Sequence, residues 1–116
     1  MKIVTTYVAF DDKEFDYEEE CLAYEQYHMN LMIELNMCYV MYDKNMHPLS
    51  GLYAHNIEDA LKEFEYTYEE CNYILMKKVP SKELIHFIRY YFGYELPNEK
   101  AGIYYYNFNE GRWHKI

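Results

Sequence analysis

Gly102-Ile103-Tyr104-Tyr105-Tyr106-Asn107-Phe108-Asn109-Glu110-Gly111-Arg112-Trp113-His114-Lys115-Ile116 is the stretch whose reading decides the fold. Residues 102–108 are rich in the aromatic and β-branched side chains that suit a pleated, half-buried surface, and predict a strand. Asn109-Glu110-Gly111 predicts a three-residue hairpin loop with Gly111 at the position needing a positive φ. Arg112 to Ile116 then returns as the last strand. Successive rings of Tyr104, Tyr105 and Tyr106 must alternate between the two faces of such a sheet. One face is core. The other is expected to present Tyr105 and Asn107, and with them Trp113, to solvent, a partner or a second subunit.

Upstream of the hairpin, Tyr94 to Lys100 reads as a polar connection around Pro97. Before it, Ser81 caps a helix over residues 82–92, with Leu84, Ile85, Ile88 and Tyr91 or Phe92 inward and Gly93 as its stop. Asn72 to Met76 is a short strand, ended by Lys77-Lys78 and Pro80. Asn56 caps a helix over about 57–66, with Ile57, Ala60, Leu61 and Phe64 on its apolar face. Met37 to Tyr42 is a compact apolar run that predicts a buried strand. The first helix spans about 17–35, with Asp16 as N-cap, Glu19 at N3 completing a capping box, and an inner stripe of Leu22, Gln26 or Tyr27, Met29 and Ile33. Lys2 to Phe10 reads as strand one, Asp11-Asp12-Lys13 as a turn and Glu14-Phe15 as a short return arm. The pattern is a single α+β domain in β-α-β-α-β-α-β-β order, with a mainly antiparallel sheet, three helices and a C-terminal hairpin.

The 116 residues carry 20 acids against 11 bases, a formal charge of −9, which disfavours a nucleic-acid-binding surface because phosphate would be repelled. The same charge suits a basic partner, with Glu18, Glu19 and Glu69 as electrostatic guides. No apolar run is long enough for a membrane span, and an opening that turns acidic within eleven residues does not read as a secretory leader. Cys21, Cys38 and Cys71 are an odd, widely spaced set that reads as buried reduced thiols. Neither CxxC, HxxxH nor HExxH occurs, so no metal is expected. The glycines, at 51, 93, 102 and 111, make no phosphate loop, and no cofactor is expected. Arg89 and Arg112 are the only arginines, and either could clamp a phosphate beside aromatic rings.

The opening Tyr7-Val-Ala-Phe-Asp-Asp-Lys-Glu-Phe-Asp-Tyr-Glu-Glu-Glu-Cys-Leu-Ala-Tyr-Glu25 resembles the N-terminal segment of many small bacteriophage accessory proteins. Asp12 stands where those proteins usually carry Gly. The group includes anti-defence proteins, among them Thoeris anti-defence sponges that sequester a cyclic ADP-ribose signal. Together with the −9 charge, the wealth of aromatic residues and the absence of a catalytic motif, the resemblance leads to the expectation of a non-enzymatic protein of the host cytoplasm that inhibits a host defence or regulatory protein by binding it. The expected contact residues are Tyr105, Asn107, Arg112, Trp113 and Arg89. The alternative is a sponge for a small cyclic nucleotide, as a homo-oligomer with an aromatic and Arg pocket. A third reading is a small nuclease or hydrolase acting through His and acidic residues, and two or more His gathered with carboxylates in one cleft would favour it.

Overall fold

A computed structural model describes residues 5–49 and 51–116. Its elements run β1 (Tyr7–Val8), β2 (Glu14–Phe15), α1 (Glu18–Cys38), β3 (Tyr39–Tyr42), α2 (Ile57–Glu70), β4 (Tyr73–Met76), α3 (Lys82–Phe92), β5 (Gly102–Asn107) and β6 (Arg112–Lys115). The α+β order expected from the sequence is present, with Glu14-Phe15 as the second arm of an N-terminal ribbon. Of residues 5–10, expected within strand one, Tyr7–Val8 form strand; residues 1–4 lie outside the described residues. The strands fall into two antiparallel sheets, the β1-β2 ribbon and a four-stranded sheet in the order β3-β4-β5-β6.

All three helices contribute to one apolar core against one face of the larger sheet. Tyr39, Met41, Ile74, Met76 and Tyr104 point into it from the strands, to meet Met32, Leu35, Cys38, Ala60, Leu61, Phe64, Leu84 and Ile88 from the helices. α2 and α3 follow their sequence signals. The Asn56 side chain accepts from the Asp59 amide and Ser81 accepts from the Leu84 amide. α2 buries Ile57, Ala60, Leu61 and Phe64 as expected, but continues to Glu70, one turn beyond residue 66. Gly93 ends α3 at φ 75°, a left-handed conformation that favours glycine.

α1 corrects several expectations. It begins at Glu18 with Tyr17 in the cap position and no side-chain cap, so Asp16 and Glu19 do not form a capping box. Glu18, Glu19 and Glu20 still complement the positive end of the helix dipole. The buried side chains are Cys21, Met29, Leu31, Met32, Leu35 and Cys38, whereas Leu22, Gln26, Tyr27 and Ile33 are exposed. Apolar residues surround this helix, so periodicity alone does not single out its inner face. Docking does: Glu25 accepts from the Phe10 amide at 3.0 Å, and the Tyr24 hydroxyl donates to Asp11, which clamps the ribbon onto α1. Met37 and Cys38, expected in a strand, form the last turn of α1, because helical spacing from Leu35 brings Cys38 into the core.

The C-terminal hairpin is present with a different loop. Asn107 pairs with Arg112, which leaves four residues, 108–111, in the turn. The Asn107 side chain accepts from the amides of Asn109 and Glu110, and the Gly111 amide donates to the Asn107 carbonyl at 2.7 Å. Gly111 has φ 69°, the positive value its place in the turn requires.

Candidate functional site

Strand register divides the side chains of the sheet between its faces. Opposed residues in an antiparallel pair lie on the same face. Val40 opposes Leu75, and Leu75 opposes Ile103. Tyr42 opposes Tyr73, Tyr73 opposes Tyr105, and Tyr105 opposes His114. These two rows, one aliphatic and one aromatic, lie on the face turned away from the helices, with the Asn107–Arg112 pair beyond them. Ile103 is 42% exposed and Tyr105 38%, while Val40, Tyr42, Tyr73 and Leu75 are half-buried by their neighbours within the sheet. Tyr105 and His114 stack with ring centroids 5.6 Å apart. Among the described residues the arrangement is an open, largely apolar face with a polar end.

Trp113 does not belong to this face. It opposes Tyr106, two residues along from buried Tyr104, and so turns toward the helices. Its Nε1–H donates to the Glu95 carbonyl at 2.9 Å, and its ring lies edge-on to Tyr106 and Tyr68. Alternation along β6 therefore corrects the expected grouping of Trp113 with Tyr105 and Asn107. Trp113 fastens the connection between α3 and β5.

The two arginines are also placed by the fold. Arg89 makes a two-pronged contact with Glu95, Nε to Oε1 at 2.9 Å and Nη2 to Oε2 at 3.0 Å, and so ties the end of α3 to the following connection. Arg112 donates from Nε to Glu110 at 3.1 Å, and His114 pairs with the same carboxylate. These hydrogen bonds hold Glu110 below the usual carboxylate range. Glu18 and Glu19 open α1, whose 21 residues lead directly into β3. They therefore stand about 30 Å from the sheet and do not rim its open face. Glu69 is exposed near the end of α2; burial first, and then the charges of Glu65 and Glu69, raise the pKa of Tyr94 on the helical side.

A second concavity, about 720 Å³, lies among the ribbon turn, α1 and α3. It is lined by Phe10, Asp11 and Asp12 from the turn, Tyr24, Tyr27, His28 and Leu31 from α1, and Glu83, His86, Phe87, Tyr90 and Tyr91 from α3. In the sequence Asp11-Asp12 signals only a turn, and the groove has no local signature beyond Tyr90, an aromatic ring outside the apolar face of its helix. Two His and three carboxylates do meet here. Yet His28 Nδ1 lies 2.9 Å from the Tyr24 carbonyl, and its ring packs against Phe10 and Phe87. Among the described residues the His–carboxylate pairs are His47–Asp43 and His114–Glu110, both outside the groove. No group of three His, Cys, Asp or Glu among the described residues is placed to hold a metal.

Cys21, Cys38 and Cys71 are free and buried. Burial pushes the Cys71 thiol up to about 12 and raises Cys38 as well, which leaves both as weak nucleophiles at neutral pH. Among the described residues no helix is long and apolar enough to cross a membrane. Comparison with protein-family models, curated proteins and solved structures finds no match to this chain.

Proposed function

We propose that this chain is a non-enzymatic binding protein of the phage accessory type. It engages a host protein of a defence or regulatory system, in the host cytoplasm, through the open face of its four-stranded sheet. The observation that carries this reading is the pair of cross-strand rows, Val40–Leu75–Ile103 and Tyr42–Tyr73–Tyr105–His114, on the face opposite the helices. A face of this kind offers rigid aromatic contact area with polar tips, the composition of binding hot spots. The resemblance of residues 7–25 to phage accessory proteins directs the reading toward a host target.

The nucleotide-sponge alternative draws less support. Both arginines already contact carboxylates, and the most aromatic concavity is lined by Asp11, Asp12 and Glu83, which repel phosphate. The hydrolase alternative is favoured by the two His and three carboxylates of that same groove, but among the described residues no His–carboxylate hydrogen bond joins them there.

The test is capture from bacterial lysate by the tagged chain and by three variants. Tyr105→Ala and Ile103→Lys are expected to lose a stoichiometric partner that the wild type and Tyr66→Ala, at an exposed position on α2, both retain. A partner retained by all three variants contradicts the assignment. A partner that proves to be a second copy, with the open-face variants monomeric by sedimentation, replaces the host target with self-association.

A further inference from the structure

The groove on the helical side is chemically distinct from the open sheet face. We infer that it receives a basic side chain, lysine or arginine, of a partner protein segment, held between aromatic rings and the carboxylates of the ribbon turn. Three features point there together. First, the floor and walls are aromatic and accessible: Tyr90 is 82% exposed, Tyr27 50% and Tyr91 41%. Phe10 sits at the centre, with centroids 5.8 Å from Tyr91 and 5.9 Å from Tyr24. The faces of such rings attract cations.

Second, the charge is one-sided. Asp11, Asp12 and Glu83 line the groove, and among the described residues no lysine or arginine does. Asp11 and Asp12 raise the pKa of Tyr91 alongside the larger effect of burial, so their negative potential reaches the far wall. Third, the molecule already uses this chemistry beside the groove. Lys13 Nζ lies 4.7 Å from the Tyr24 ring centroid and 5.4 Å from that of Phe15. The Tyr24 ring that carries this internal cation also lines the groove.

The size leaves room for such an occupant. A volume of about 720 Å³ far exceeds one ammonium group and suits a short peptide segment with its side chain inserted. Asp12 sits at φ 67°, in the left-handed region, where Gly would be at ease. A carboxylate at that strained place adds charge to the groove mouth that Gly would not.

The experiment is an NMR titration of the full chain with the blocked peptide acetyl-Gly-Gly-Arg-Gly-Gly-amide. Its controls are the same peptide with citrulline, the neutral isostere of arginine, and free choline. The arginine peptide is expected to shift Phe10, Tyr24 and Tyr90 resonances saturably, and citrulline to leave them unmoved. Asp12→Asn, which tolerates a positive φ, and Glu83→Gln are each expected to weaken the arginine peptide about threefold to fivefold. Tyr90→Ala, at an exposed position that does not risk the fold, is expected to weaken it similarly. Equal shifts from arginine and citrulline overturn the proposal, as do shifts confined to the sheet face. Saturation by choline with no response to the peptide also overturns it, in favour of a free organic cation. Because Tyr105 lies on the opposite side of the sheet, Tyr105→Ala leaves this titration unchanged, so the groove and the sheet face fail or succeed separately.

Discussion

Tyr105 and Trp113 are two aromatic residues on one hairpin, turned to opposite sides. Trp113 joins the core and anchors Glu95 by its indole N–H. Replacing it with Ala removes half-buried ring area and an indole hydrogen bond, and is expected to lower unfolding stability by about 2–3 kcal/mol in urea titration. Tyr105 has one stacked neighbour, His114, and an exposed face. Tyr105→Ala is expected to cost no more than about 1 kcal/mol of stability. Its effect should fall on partner binding. If the two variants showed the reverse pattern of stability losses, the assignment of faces would be wrong. Which face Trp113 occupies was not legible in the sequence, because the face depends on the number of residues in the turn. Four loop residues in place of three shift β6 by one position against β5, and a shift of one reverses every side chain.

At the scale of elements, one carboxylate ties α1 to the start of α3. Glu34 on α1 accepts from the Ser81 amide at 2.7 Å and from the Ser81 hydroxyl at 2.8 Å, while Ser81 caps α3. Glu34→Ala leaves a partly buried amide without its partner and is expected to cost roughly 1–3 kcal/mol. Ser81→Ala is expected to cost roughly 1 kcal/mol. Because the two groups share one network, the double variant should lose less than the sum of the single losses in a denaturation cycle. Ser81, Asn56 and Gly93 were readable because caps and stops are local signals, and α2 and α3 carry well-separated apolar and polar faces. α1 was not readable in the same way. Leu22, Tyr27, Ile33 and Met37 are apolar yet exposed, so its buried face is chosen by Glu25, Tyr24 and the ribbon they hold. The aromatic groove was hidden for a related reason. Its walls come from residues 10–12, 24–31 and 83–91, which only the tertiary fold brings together.

The whole molecule is a layer of helices on one side of a sheet whose other side is open. Its buried side resists ionisation. Burial, the largest cause in each case, pushes Tyr24, Tyr68 and Cys71 up to about 12 and raises Tyr39 as well. Ordinary values in the unfolded chain are 10.0 for tyrosine and 9.0 for cysteine. Above pH 9 the unfolded chain therefore releases protons that the folded chain keeps. The stability these groups contribute is complete below pH 9 and falls as pH rises toward 12. Ultraviolet titration of the sixteen tyrosines should show an exposed set ionising first and a buried set ionising only with unfolding. A single transition with all tyrosines ionising at the ordinary value, and the fold intact, would contradict the packing described.

The most direct test of the central claim is hydroxyl-radical footprinting of the tyrosines, read by mass spectrometry, with and without the captured partner. Tyrosines mark both sides of the molecule: Tyr73 and Tyr105 on the open sheet face, and Tyr66, 72% exposed, on α2. Docking on the sheet predicts that oxidation of Tyr73 and Tyr105 falls in the complex while Tyr66 is unchanged. Protection confined to tyrosines of the helical side, with Tyr105 oxidised as in the free protein, would contradict the account.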